Sequence, residues 1–170
     1  MEQSLSSMTS WILGRDCMVK VIDGNLFDSK ANIICHQCNC QGIMGSGVAA
    51  EVKRRYPYVF HRYRKDYLDG KLKLGYVCFA SANNDQVIAN MCAQNNFGYD
   101  GSVYTNYDKL QECLNTVKEY AMFSYDEKPT IALPWLMSCC RGGGDWNVVY
   151  KMIEDTFEDF DVEIWRLQNG

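Results

Sequence analysis

Two glycine-rich runs stand roughly a hundred residues apart, each placed where an anion could be gripped. The first, Gly42-Ile43-Met44-Gly45-Ser46-Gly47-Val48, follows the apolar run Ala31-Asn32-Ile33-Ile34-Cys35-His36. The second, Arg141-Gly142-Gly143-Gly144-Asp145-Trp146, follows Thr130-Ile131-Ala132-Leu133-Pro134. Glycine lets main-chain N–H groups approach a ligand closely, and a helix N-terminus gathers unpaired donors with partial positive charge. Together these make a phosphate cradle, and two such loops can hold a diphosphate from both sides. Asp145 follows the three glycines directly, at the start of a predicted helix. On position alone it is a favoured helix cap.

Other reactive side chains carry weaker signals. Cys35, His36, Cys38 and Cys40 look at first like metal ligands, but a strand would turn His36 away from the thiols. A second ligand pair with zinc spacing is missing, so structural thiols and no metal are expected. His36 reads as a satisfied core histidine, Cys38 and Cys40 as small packing groups, and His61 has no assigned role. Nine cysteines without an apolar leader at the N-terminus point to reduced thiols and a cytoplasmic location. The chain has 170 residues and a net charge of −4, enough for one well-buried domain. That charge argues against a general affinity for nucleic acid. Lys53, Arg54, Arg55, Arg62, Arg64 and Lys65 form a local exception, read as a solvated helix face that a nucleic-acid-linked substrate could use. No run is long enough for a membrane span.

The elements that must position these residues follow from periodicity. Strands are expected at 17–22, 33–39, 76–80, 87–92, 130–134 and 162–167, with the third and fourth joined as a hairpin. Helices are expected over 48–56, 58–68, 106–123 and 146–157, with Pro57 separating the first two. The stripe of the second helix is read as Val59, Tyr63 and Tyr67. Residues 1–16 read as a tail or edge element, and 17–170 as a single domain. Alternating strands and helices give an α/β three-layer α/β/α sandwich with a mixed, about six-stranded sheet. Ligands in such folds collect at the carboxyl ends of strands, so both glycine loops should meet on one rim. Nothing resembles an oligomerisation helix, and a monomer is expected.

The run Gly24-Asn25-Leu26-Phe27, the run His36 to Ala49, and Arg141 to Trp146 together resemble the macrodomain family over about residues 18–167. The nearest branch contains terminal ADP-ribose glycohydrolases and ADP-ribose-1″-phosphate phosphatases. The resemblance implies an ADP-ribose cleft at the sheet rim. In it Asn25, flanked by Gly24 and Leu26, takes the place of an Asp that contacts the adenine amino group. Asn39 matches the residue that bonds the distal ribose, and Met44, Gly45, Ser46, Gly47 and Val48 match the first phosphate loop. The second loop is Ser138-Cys139-Cys140-Arg141 followed by Gly142, Gly143 and Gly144, where the family has a Gly-Cys-Gly type turn. Arg141 there either adds charge or points to water.

What the resemblance implies about chemistry is less uniform. It assigns Asp145 to catalysis or substrate orientation. The branch members that form a covalent sugar intermediate use a lysine after the fourth strand, and Met91-Cys92-Ala93-Gln94-Asn95-Asn96 contains none. Gln94 can orient a substrate hydroxyl, leaving direct displacement with Asp145 positioning water. Phe97 and Tyr99 are lid candidates on a glycine-punctuated loop, whereas Tyr107 is expected to pack against the helix that follows. The expected ligand is ADP-ribose or an ADP-ribosylated acceptor, with no cofactor. Hydrolysis is narrowly preferred over a non-catalytic ADP-ribose reader or a module that sequesters an NAD-derived nucleotide.

Overall fold

The computed structural model describes residues 19–98, 102–139 and 142–168. Six strands form one sheet: β1 (Val19–Asp23), β2 (Ile33–Cys38), β3 (Val77–Asn83), β4 (Gln86–Cys92), β5 (Thr130–Pro134) and β6 (Asp161–Arg166). Their order is β1-β6-β5-β2-β4-β3. Every neighbouring pair is parallel except β3 with β4, the expected hairpin. The fold is thus a three-layer α/β/α sandwich around a mixed six-stranded sheet.

β2 and β5 occupy the middle of the sheet and are apolar on both faces, as central parallel strands must be. Ile33, Cys35, Ile131, Leu133, Val162 and Ile164 face one core with helices α3 (Tyr107–Ser124) and α4 (Trp146–Thr156), which contribute Leu110, Leu114, Val149 and Ile153. Ile34, Cys38, Ile88, Cys92 and Ala132 face the other, under α1 (Gly47–Arg55) and α2 (Pro57–Leu68). Pro57 occupies the first turn of α2, where its missing N–H costs nothing. It therefore starts the second helix as well as ending the first.

One stripe departs from expectation. Val59 and Tyr63 are buried as the spacing predicts, but the third buried residue of α2 is Asp66, while Tyr67 is 37% exposed. Tyr67 lies instead over Gly42, whose φ of +73° and lack of a side chain let the ring sit where a Cβ would stand, with 2.7 Å to its Cγ. Asp66 is held underneath by Tyr76, whose hydroxyl donates to Oδ2 at 2.7 Å, and by Arg62 at 3.5 Å. The proposed tail at 1–16, Cys17 and Met18 lie outside the described residues.

Candidate ligand cleft at the sheet rim

The parallel strands β2 and β5 end side by side, and the chain leaves each through one of the glycine loops. A cleft of about 310 Å³ opens between them, lined by Gln37 and Asn39 at the end of β2 and by Gly45, Ser46, Gly47, Val48 and Ala49. Gln94 and Phe97 close one side, while Trp135, Leu136, Met137, Ser138 and Gly142 supply the other. The volume sits at the small end of the range for small-molecule sites.

The floor of the first loop is built by Asn39. Its Oδ1 accepts from Gln41 N at 2.9 Å and from the Tyr63 hydroxyl at 3.0 Å, and its Nδ2 donates to Ile43 O at 2.9 Å. A primary amide carries two N–H donors, so one remains for a ligand. The loop delivers the chain into α1 with Ser46 as N-cap, but Ser46 makes no side-chain capping bond and the first turn has no acidic residue. The amides of Gly47, Val48 and Ala49 precede the first intrahelical donor, Ala50 N to Ser46 O at 3.2 Å, and all three residues line the cleft. The N-termini of α3 and α4 differ, since Asn106 and Asp145 cap them with side-chain oxygens.

The second loop turns through two side-chain-bearing residues with positive φ, Leu136 at +60° and Ser138 at +71°. Such backbone costs roughly 1–3 kcal/mol per residue and persists only where the surroundings enforce it. Gln37 is the enforcer. Its Oε1 accepts from the Ser138 hydroxyl, and its Nε2 donates to Gln94 Oε1 at 2.7 Å and Thr105 Oγ1 at 2.9 Å. Thr105 Oγ1 in turn donates to Ser138 O at 2.9 Å. Gly142 fits between these groups, because a Cβ there would collide with Ser138 O, Thr105 Oγ1 and Gln37 Nε2. Ser138 thus takes a left-handed position that would suit glycine, held by its hydroxyl.

Not all expected ligand residues reach the cleft. Met44 is buried in the α1–α2 core, as is Leu26. Asn25 caps the 3-10 turn Leu26–Asp28 through its Oδ1, which accepts from Phe27 N at 2.9 Å. With Gly24 it follows edge strand β1, three strand spacings from β2, or roughly 14 Å. Cys139, Gly143 and Gly144 belong to the second loop but do not line the cavity, and Cys140, Arg141 and Tyr99 lie outside the described residues. Asp145 is exposed and caps α4, its Oδ1 accepting from Asn147 N at 2.9 Å. Its own N–H donates to the Tyr107 hydroxyl at 2.8 Å. Gln37, Trp135 and Met137 were missed by sequence reasoning. Gln37 had a visible signal: it is the one amide in a strand otherwise apolar but for His36, on the side shared with Ile33 and Cys35.

Electrostatically the cleft suits an anion. No Asp or Glu lines it among the described residues. Its titratable members are His36 and Cys38, both buried. Contrary to expectation His36 is not turned away from the Cys38 thiol: residues two apart share a strand face, and Cys38 Sγ lies 3.5 Å from His36 Nε2. Burial lowers the His36 pKa to about 4 although its Nε2 bonds Asn90 Oδ1 at 2.6 Å, so the ring is neutral at neutral pH. Burial likewise raises the Cys38 thiol well above its usual value, which leaves it protonated. The same holds for Cys92, where a hydrogen bond to Cys40 and burial both raise the pKa. Among the described residues no group of three or more His, Cys, Asp or Glu could hold a metal ion. No helix among the described residues is long and apolar enough to cross a membrane.

The chain is similar in sequence and fold to known proteins. A DNA ADP-ribosyl glycohydrolase from Thermus aquaticus is 24% identical over 152 residues, covering 87% of this chain and 40% of its own length. The chain therefore spans well under half of that relative. An ADP-ribose 1″-phosphate phosphatase from Ajellomyces capsulatus is 40% identical over 48 residues, 28% of this chain and 19% of its own. A Bacteroides thetaiotaomicron protein of unknown function superposes with a TM-score of 0.80 at 23% identity, over 89% of this chain and 99% of that one. The Macro domain model matches residues 35–153, from the middle of β2 to the third turn of α4, and includes both glycine loops. This chain belongs to the Macro domain family.

Proposed function

We propose that this macrodomain binds the ADP-ribose group in the rim cleft, with the diphosphate on the amides of Gly47, Val48 and Ala49. The observation that carries this reading is an uncapped helix N-terminus opening into a cavity whose described lining has no carboxylate. The spare N–H of Asn39 and the Gln94 amide meet the distal ribose, and Phe97, 43% exposed, covers it. Trp135 flanks the opposite end, toward Gly24 and Asn25, where the adenine extends along the rim. Ser138 and Gly142, which line the cleft, supply the second loop's contact. Calorimetry tests this directly. ADP-ribose should bind at least tenfold more tightly than AMP, which lacks the diphosphate and second ribose, and equal affinities would defeat the assignment.

Hydrolysis of an ADP-ribosyl linkage is the second reading, supported by likeness to a glycohydrolase and a phosphatase. Its acid–base group would be Asp145, whose Oδ2 is not used by the cap. With no lysine in 91–96, water attacks directly, without a covalent sugar intermediate. The neutral lining favours binding without turnover; kinship favours turnover. Mono-ADP-ribosylated DNA and protein separate the two. Release of ADP-ribose that stops in Asp145→Ser, which keeps a capping oxygen but removes the carboxylate, would establish the hydrolase.

A further inference from the structure

The helices fed by the first glycine loop carry a charge balance opposite to that of the whole chain. Residues 47–68 hold six of the seventeen Lys and Arg but two of the twenty-one Asp and Glu, a net of +4 in a chain of net −4. Lys53, Arg54, Arg55, Arg62 and Lys65 are all exposed. Rings alternate with these cations. Lys53 Nζ lies 4.4 Å from the Phe60 centroid, and the guanidinium groups of Arg55 and Arg64 lie 5.0 Å from Phe27 and Tyr67. Tyr58 stands among them 65% exposed.

This face is continuous with the cleft. α1 leaves it at Gly47, and α2 returns to it, with Tyr63 donating to Asn39 O at 2.7 Å and Arg64 to Gly42 O at 3.3 Å. The pairs of Glu51 with Arg54 and of Lys65 with Asp69 are solvent-exposed, so exchanging a carboxylate for a phosphate there costs little.

We propose that the α1–α2 face holds the acceptor when ADP-ribose is carried on a single-stranded nucleic acid, with cations tracking the backbone and Tyr58 stacking on a base. The proposal rests on ADP-ribose occupying the cleft. An exposed ring such as Tyr58 among cations suits an unstacked base, which a duplex hides and an acidic peptide lacks. The negative charge elsewhere keeps the affinity modest.

Fluorescence anisotropy with labelled single-stranded DNA and RNA of one sequence, their duplexes, and polyglutamate tests it on the whole chain. At low salt a single strand should bind with a Kd of about 10 μM. The preferred sugar then names the acceptor as DNA or RNA. The triple variant Lys53→Ala, Arg54→Ala, Arg62→Ala should weaken it at least tenfold and lower the log–log salt slope by about 2. Tyr58→Ala should weaken it roughly fivefold or more. Calorimetry with ADP-ribose should be unchanged in both variants. Absent strand binding, strand binding that ignores both variants, or equal binding of duplex or polyglutamate would overturn the proposal, while ADP-ribose heat alone reports on the cleft reading.

Discussion

A side chain at position 45 should abolish ligand binding while sparing the fold. A Cβ built on Gly45 meets only Ile43 Cγ2, at an ordinary 3.6 Å, and the backbone there is not left-handed. The rest of a valine side chain would extend into the cleft that Gly45 lines. Folding therefore loses nothing, and the restricted unfolded chain adds about 0.4–1 kcal/mol of stability. Binding loses the space in which phosphate oxygens reach the α1 amides. If two charge-assisted hydrogen bonds are forfeited, at about 1.5–3 kcal/mol each, affinity falls roughly 10²–10⁴-fold. Gly142→Ala is the contrasting perturbation. Its Cβ has no room beside Ser138 O and Gln37 Nε2, so the melting temperature should fall, with a loss of about 1–3 kcal/mol. Thermal melts and ADP-ribose calorimetry on both variants check the pair. Gly45→Val binding within threefold of the parent, with an unchanged melt, would place the diphosphate elsewhere.

Other perturbations probe the scaffold. The His36 pKa, depressed to about 4 by burial, lies below the ordinary 6.5, so the unfolded chain binds the proton more readily. Its contribution is complete above pH 6.5 and is lost as pH falls toward 4, roughly 3 kcal/mol over that window. Urea unfolding should record this loss, and His36→Gln should flatten most of it. Asp66→Ala leaves the Tyr76 hydroxyl and the partly covered Arg62 without their acceptor, and should cost about 1–3 kcal/mol by the same measurement. Gln37→Ala removes the partner that keeps Ser138 left-handed. ADP-ribose affinity should then drop about tenfold as the second loop relaxes, read by calorimetry.

The sheet was legible because its strands are short apolar runs separated by strong turn signals, and the antiparallel β3–β4 pair was marked by Asn83-Asn84-Asp85. Both loops could be placed on one rim because parallel strands end on the same side. Less legible was what individual side chains do at that rim. Asn25 reads equally as a ligand residue and as a turn cap, and its amide oxygen accepts from Phe27 N. Asp145 has the same ambiguity, and its carboxylate caps α4. Periodicity gave Tyr67 to the core, yet Gly42 offered the ring a nearer surface and Asp66 found Tyr76 as a buried partner. The Gln37 network joins residues up to 101 positions apart in sequence, and no local pattern announces it.

The most direct measurement is the backbone amide spectrum of the labelled protein during titration with ADP-ribose. The amides of Gly45, Ser46, Gly47, Val48 and Gly142 should shift together and saturate with one dissociation constant. Saturating shifts confined to residues away from the rim, or none at millimolar nucleotide, would contradict a diphosphate held at the start of α1.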